Sequence, residues 1–368
     1  MTAAILFIVV LGFLVFVHEL GHFWAARLSN IKVTEFGLGL PPKAISYQPQ
    51  DSEVEYSLNW LPIGGFVKIF GEDYESLIPD DPDYDRSFVK ADKWRQLFVL
   101  IAGVAMNFLA AILLFSLAAW SGTLVPTDNI DARDGFYVVA VSPGSPAAEA
   151  GLQSGDKITG MVIGSTDVEE AELNRENFAD LISGSESGID FIVQRSKDVV
   201  EVSVTPEVGV IPDDPDQLAI GVYADSLALQ RSGLVEGITE GVIGSVEGLR
   251  AVFTGFGSLI TSSFSTGAGD TLSSLAGPVG IAQLSEQAFD IGLGSLFSFA
   301  AFLSLNLVVL NLLPFPALDG GRIVFVLIEA FKGSPINSKF AGYANLIGFT
   351  LLILLMFVVT VQDIIRIF

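Results

Sequence analysis

Four stretches of this chain are apolar for long enough to cross a lipid bilayer: Ala3 to Leu28, Trp94 to Ser121, Ser295 to Leu313 with a broken continuation to about Phe331, and Gly342 to Ile367. About 20 apolar residues in a helix match the hydrocarbon layer. Inside that layer every backbone N–H and C=O must be bonded within the protein, so runs of this kind become helices. The whole composition agrees, with 51% hydrophobic residues and a mean hydropathy of +0.56. A cleavable signal peptide fits the first run poorly. Met1 and Thr2 give it no basic flank, and charge rather than a small-residue cleavage site interrupts it.

The soluble parts between these runs differ in charge. Residues 27–95 hold eight Lys or Arg, namely Arg27, Lys32, Lys43, Lys68, Arg86, Lys90, Lys93 and Arg95. Residues 123–290 hold seven Lys or Arg against 26 Asp or Glu, so the net charge of -23 belongs mostly to one acidic domain. Basic loops stay cytoplasmic, and Arg322, Lys332 and Lys339 also fall between the third and fourth runs. The N-terminus and residues 123–290 are therefore expected outside. The absence of cysteine is compatible with an exported domain without disulfides.

The first run contains "VHELGHF", which carries both histidines of the chain, His18 and His22. Ionisable groups in a span are costly and mark function. Four residues apart on a helix, the two imidazoles share one face, and H-E-x-x-H spacing presents them to one zinc ion with Glu19 beside it. A catalytic zinc needs a third protein ligand. With no further His and no Cys, that ligand has to be a carboxylate. Asp319 is the best candidate: Pro314 and Pro316 break the third run ahead of it, and Gly320 and Gly321 let the backbone turn closely beside it. Glu329 and Asp363 compete. Spans one and three both run from outside to inside, which brings all three ligands to the cytoplasmic half. Zinc there would activate water, with Glu19 taking its proton and passing it to the leaving amine.

The segments "KVTEFGL", "KAISYQ", "EVEYSLNW" and "GGFVKIFG" read as four short antiparallel strands, able to offer an edge to an extended substrate. The acidic stretch 71–86 reads as a solvated loop. From residue 135 the chain gives a strand, a short Ala-rich helix after Ser145-Pro146, a turn at Gly151 and Gly155, a helix over 174–182 and a closing hairpin, and this looks like a bacterial PDZ domain. Leu234 to Thr261 and "LAGPVGIAQL" at 275–284 read as amphipathic segments at the membrane surface.

Taken in order, "HELGHF" at 18–23, "NLLPFPALDGG" at 311–321 and the PDZ-like insert resemble the site-2 protease family of intramembrane zinc metalloproteases, nearest to its bacterial members that regulate sigma-factor stress responses. The resemblance implies that His18, His22 and Asp319 bind Zn2+, that Glu19 is the catalytic acid and base, and that Asn311 positions substrate. Asn107 in "AGVAMNF" resembles the family's glycine-x-x-x-asparagine signature, and is expected to position substrate as Asn311 does, or else to act as glue between helices. The expected fold is a multi-span α-helical membrane protein of about four transmembrane helices, with a membrane-associated β-hairpin sheet and an inserted α+β PDZ domain. The expected parts are transmembrane helix 1 (1–28), a cytoplasmic-side sheet and loop (29–93), helix 2 (94–122), an extracytoplasmic PDZ domain (123–225), a surface gate (226–294), a broken helix 3 (295–331) and helix 4 (332–368).

The expected activity is hydrolysis of a peptide bond within or near the transmembrane segment of single-span membrane proteins, such as anti-sigma factors or remnant signal peptides. The expected setting is the bacterial plasma membrane, with the active site toward the cytoplasm, lipid as the surroundings and no nucleic acid as partner. The alternative is a catalytically silent PDZ-bearing scaffold or a zinc transporter. Glu19 separates them, because metal binding alone does not call for a carboxylate beside the histidine pair.

Overall fold

The computed structural model describes residues 2–72, 81–129, 133–142, 144–185, 187–195, 198–211, 216–265 and 276–367. These form two compact units: Met1–Ser116 with Ile238–Glu286 and Ser298–Phe368, and Leu117–Gly237 with Gln287–Phe297. In chain order the elements begin with α1 (Thr2–Leu28), β1 (Val33–Tyr47), β2 (Glu55–Ile69), α2 (Lys93–Ser121), β3 (Thr123–Pro126) and β4 (Gly135–Val141). Then come α3 (Pro146–Ala150), β5 (Lys157–Ile163), β6 (Thr166–Glu169), α4 (Arg175–Ser183), β7 (Ile189–Arg195), β8 (Asp198–Val204) and β9 (Val222–Gln230). The chain closes with α5 (Leu234–Ser265), α6 (Pro278–Ile291), α7 (Leu293–Leu312), α8 (Asp319–Lys332) and α9 (Ser338–Ile367).

Among the described residues, α1, α2, α7 and α9 are long and apolar enough to cross a membrane. In α1 and α9 large apolar side chains such as Val9, Leu354 and Phe357 stand more than half exposed, which suits lipid and not water. Small residues let α1 approach α2. A side chain at Gly21 would run into the Ala102 carbonyl and into Met106 Cγ at 2.8 Å, so the glycine is what allows this contact.

The four segments expected as separate strands are halves of two long ones. β1 and β2 pair antiparallel with repeated shifts of register, from Val33↔Ile69 to Leu38↔Gly65 and from Lys43↔Asn59 to Tyr47↔Tyr56. Phe36 also faces Tyr56, and Leu38 also faces Leu58. The segment 35–38 is therefore flanked on both sides, as is 56–58, while 65–69 has a neighbour on one side. Strands bend rather than stop here because Gly39 and Gly64 take positive φ angles, 79° and 83°, which L side chains disfavour. One face of the sheet packs Val33, Phe36, Val67 and Ile69 against Phe23 and Ala26 of α1. Of the acidic stretch 71–86, residues 73–80 lie outside those described. Beyond it, Asp83 pairs with Lys32 at 2.5 Å, and Arg86 grips Glu53 through two bonds of 2.9 and 2.7 Å.

The second unit is built on a seven-stranded sheet ordered β3-β9-β4-β5-β7-β8, with β6 paired to β5. Alternate residues of its strands, Phe136 and Val138, Ile158, Ile189, Phe191 and Val193, fill a core that also takes Phe178 and Ile182 of α4. Ser145 caps α3 by accepting from Ala148 N–H, and Gly151 ends it at φ 92°. A capping box of Asn174 and Asn177 starts α4. The boundary expected at 225 falls inside β9, which runs on to Gln230 and pairs with β3 along Thr123↔Gln230 to Pro126↔Leu227. The amphipathic segments form α5 and α6; Leu275 lies outside the described residues.

Candidate metal centre

His18 and His22 are buried on one face of α1, their rings edge to face with centroids 4.7 Å apart. Their Nε2 atoms lie 3.1 Å from each other. Into the same point comes Asp319 Oδ2, 3.1 Å from His18 Nε2 and 3.4 Å from His22 Nε2.

Asp319 arrives there because the chain is broken just before it. α7 stops at Leu312, and α8 starts at Asp319 itself. The connecting turn folds tightly onto the start of α8, where any side chain at Gly320 would meet the carbonyls of Leu312 and Leu313, and one at Gly321 that of Phe315. Ala317, at φ 76°, is held by a bond from its N–H to Asn345 Oδ1 of α9, 3.2 Å long. Asp319 does not cap its helix: the N-cap is Leu318, and no side chain there bonds the first turn. The carboxylate is left to the histidines.

The competing carboxylates are occupied elsewhere. Glu329 accepts from Lys93 Nζ at 2.6 Å and from Ile336 N–H at 2.8 Å. Asp363 accepts from the N–H groups of Gly277 and Gly280, at 3.1 and 2.8 Å, at the start of α6.

The donor set fits a zinc ion on three counts. Two imidazole nitrogens and a carboxylate oxygen are zinc ligands. Their separations match the edge of about 3.3 Å of a tetrahedron whose centre is about 2.0–2.1 Å from each corner. Asp319 Oδ2 is also buried without a hydrogen-bond donor, which is costly for an anion with no cation beside it. Among the described residues no other group of three His, Cys, Asp or Glu side chains converges in this way. A cavity of about 300 Å³ opens onto the cluster, lined by Glu19, by Gly65, Phe66 and Val67 of β2, and by Arg322. Glu19 lies against this strand, its Cγ 3.3 Å from where a side chain at Gly65 would begin.

Helix α2 supplies the other wall. Val99 O accepts from His22 Nδ1 at 2.8 Å. One turn on, Gly103 leaves room for both rings, since a methyl there would strike His22 Nε2 and sit 2.9 Å from His18 Cε1. A further turn on, Asn107 is fully buried with its amide 3.3 Å from His18 Nδ1. Asn107 thus reaches a histidine rather than the cavity. Asn311, on the last turn of α7, is half-buried and is not among the residues lining the cavity. Two neighbours of the site escape a reading of the sequence by motif. Arg322 pairs with Glu72, and the two form a wall shared with a larger cleft of about 730 Å³. The signal for Arg322 was its place three residues after Asp319, on the same helix face.

A family model described as peptidase family M50 matches residues 6–355. The regulator of sigma-W protease RasP of Bacillus subtilis is 31% identical, over 99% of this chain and 98% of that protein. The zinc metalloprotease RasP of Bacillus licheniformis is 30% identical over the full length of both. The protein of that name from Geobacillus kaustophilus is 29% identical, covering 98% of this chain and 97% of its own. With these relatives, the four apolar helices and the donor cluster, the chain is a multi-pass membrane protein and a zinc-dependent protease. It belongs to peptidase family M50, the site-2 protease family.

Proposed function

We propose that this protein hydrolyses a peptide bond within or near the transmembrane segment of single-span membrane proteins, with His18, His22 and Asp319 as the zinc ligands and Glu19 as the catalytic acid and base. The observation that carries it is the meeting of these four side chains at one cavity between helices long enough to cross a membrane. Bound to the three donors, zinc supplies a Lewis acid that polarises a carbonyl and makes water acidic near pH 7. Glu19, in the wall of the cavity beside the donors, accepts the water proton on a carboxylate oxygen and returns it to the amine nitrogen as the C–N bond breaks. The 65–69 segment of β2 lines the cavity and has an open side among the described residues, so an extended substrate is taken up along it by strand addition. Asn311 is proposed to bond substrate backbone entering from the α7 side.

The name of the Bacillus subtilis relative, a regulator of sigma-W protease, supports regulated proteolysis of a membrane-bound regulator such as an anti-sigma factor. The second unit is proposed to be a PDZ domain outside the cell that filters substrates by size, with the active site toward the cytoplasm. Its acidic charge and the basic loops at 27–95 and 322–339 support that orientation.

The test combines metal analysis with cleavage of a model transmembrane peptide in detergent. Asp319→Ala should lose zinc and activity together. Glu19→Gln should keep stoichiometric zinc while turnover falls by about a hundredfold or more. Near-normal cleavage by Glu19→Gln would refute the role of Glu19, and zinc retained in Asp319→Ala would place the third ligand elsewhere.

A further inference from the structure

Nothing so far explains how the neutral imidazoles come to present their Nε2 lone pairs. A neutral imidazole carries one proton on one of two nitrogens, and a ligand nitrogen must be the bare one. For His22 the matter is decided by backbone. Val99 O can only accept, so His22 Nδ1 carries the proton and Nε2 is bare.

His18 Nδ1 faces the Asn107 amide at 3.3 Å, with the nitrogen end of that amide toward the ring and Oδ1 buried without a partner. If the amide nitrogen donates to Nδ1, the His18 proton is driven onto Nε2. That is the atom 3.1 Å from both His22 Nε2 and Asp319 Oδ2, and a proton there removes its lone pair from the cluster. The two ends of an amide exchange by a half-turn about Cβ–Cγ, and the surrounding network decides between them. Oδ1 has no donor where it stands, so the choice falls to the imidazole. The half-turn lets Oδ1 accept from His18 Nδ1–H, in the same manner as Val99 O accepts from His22.

We infer that Asn107 is the positioning residue of His18: its side-chain oxygen accepts the Nδ1 proton and so holds the tautomer that offers Nε2 to the metal. One face of α2 then sets both ligands. Val99, Gly103 and Asn107 follow at intervals of four, giving an acceptor for His22, space for both rings and an acceptor for His18. The Asn107 backbone is fixed in turn, because Ser304 Oγ of α7 donates to Asn107 O at 2.8 Å. The role is in the outer sphere of the metal and is distinct from contact with substrate.

This inference rests on the ligand set proposed above, and its experiment can fail separately from that reading. The chain has two histidines, so labelling with 15N-histidine yields two imidazoles, each with ring nitrogen shifts that report its tautomer. The full-length protein, stripped of metal and held in detergent at alkaline pH, should show both rings protonated on Nδ1. Asn107→Leu should shift the His18 ring away from that form while the His22 ring, held by Val99 O, stays as it was. Its zinc affinity, measured by chelator competition, should drop by about 10- to 100-fold. Asn107→Asp, which keeps an acceptor oxygen, should keep the His18 tautomer. His18 protonated on Nε2 in the unmutated protein would overturn the inference, as would an unchanged His18 signal in Asn107→Leu. Should Asn107→Leu fail to fold, the unmutated spectrum and Asn107→Asp decide the matter. Nδ1 protonation of His18 in a chain that binds no zinc would uphold Asn107 and count against the ligand set.

Discussion

At position 103 a hydrogen stands where any other residue would place a carbon, and two imidazoles occupy the space beyond it. Alanine there must push at least one ring aside, because the nearest atoms belong to both His18 and His22. Gly103→Ala should lower zinc affinity by about 10- to 100-fold, the range for disturbing the support of a ligand. Gly12→Ala, in the same apolar surroundings with nothing within 4 Å of the added methyl, is the control and should leave affinity unchanged. Chelator competition on the two variants checks both statements. At this scale the proposed ligands could be named from the sequence, because a chain with two histidines and no cysteine leaves few ways to hold zinc. The seat beneath them was less so. A glycine and an asparagine in an apolar helix carry no label for what they touch, and Asn107 turns out to face His18.

Among the elements, α6 shows how an ionisable residue can serve structure alone. Asp363, buried on α9, takes the first N–H groups of α6 through Gly277 and Gly280. These are the donors a helix leaves unpaired at its start, and a carboxylate also suits the positive end of the helix dipole. A side chain at Gly277 would press on Asp363 Oδ2 at 2.7 Å, so the glycine is part of the joint. Asp363→Ala should cost about 1–3 kcal/mol locally. The result should appear as faster hydrogen exchange at Gly277 and Gly280 N–H, with zinc content unchanged because Asp363 is not in the donor cluster. From the sequence, Asp319 stands out by the prolines before it and the glycines after it, which Asp363 and Glu329 lack, yet all three are carboxylates near a membrane span and the choice among them was a matter of weighing. The β-sheet makes the same point. Four short segments were readable from alternation, yet "EVEYSLNW" and "GGFVKIFG" looked equally able to receive substrate. The fold flanks 56–58 on both sides and brings 65–67 to the cavity.

For the whole molecule, the proposed cutting of a membrane span requires that span to open, since helical hydrogen bonds are strongly favoured in lipid. Reporters with Gly, Pro or Asn in the cytoplasmic half of the span should be cut faster than an all-Leu span, and equal rates would remove the unwinding step. A reporter with a bulky folded domain on its outer side should be cut more slowly than a trimmed one. Deleting residues 135–208, which removes β4 to β8 and leaves the β3–β9 pair, should relieve the difference without loss of zinc. The sequence by itself determined the membrane class, the four spans, the histidine pair and the need for a carboxylate. Those follow from composition and from periodicities of one helix, which short-range physics fixes. Only the tertiary structure decided which carboxylate reaches the histidines, which strand edge is open, and what supports each imidazole. These are contacts between residues as far apart in the chain as His18 and Asp319, and no local pattern records a distance across the fold.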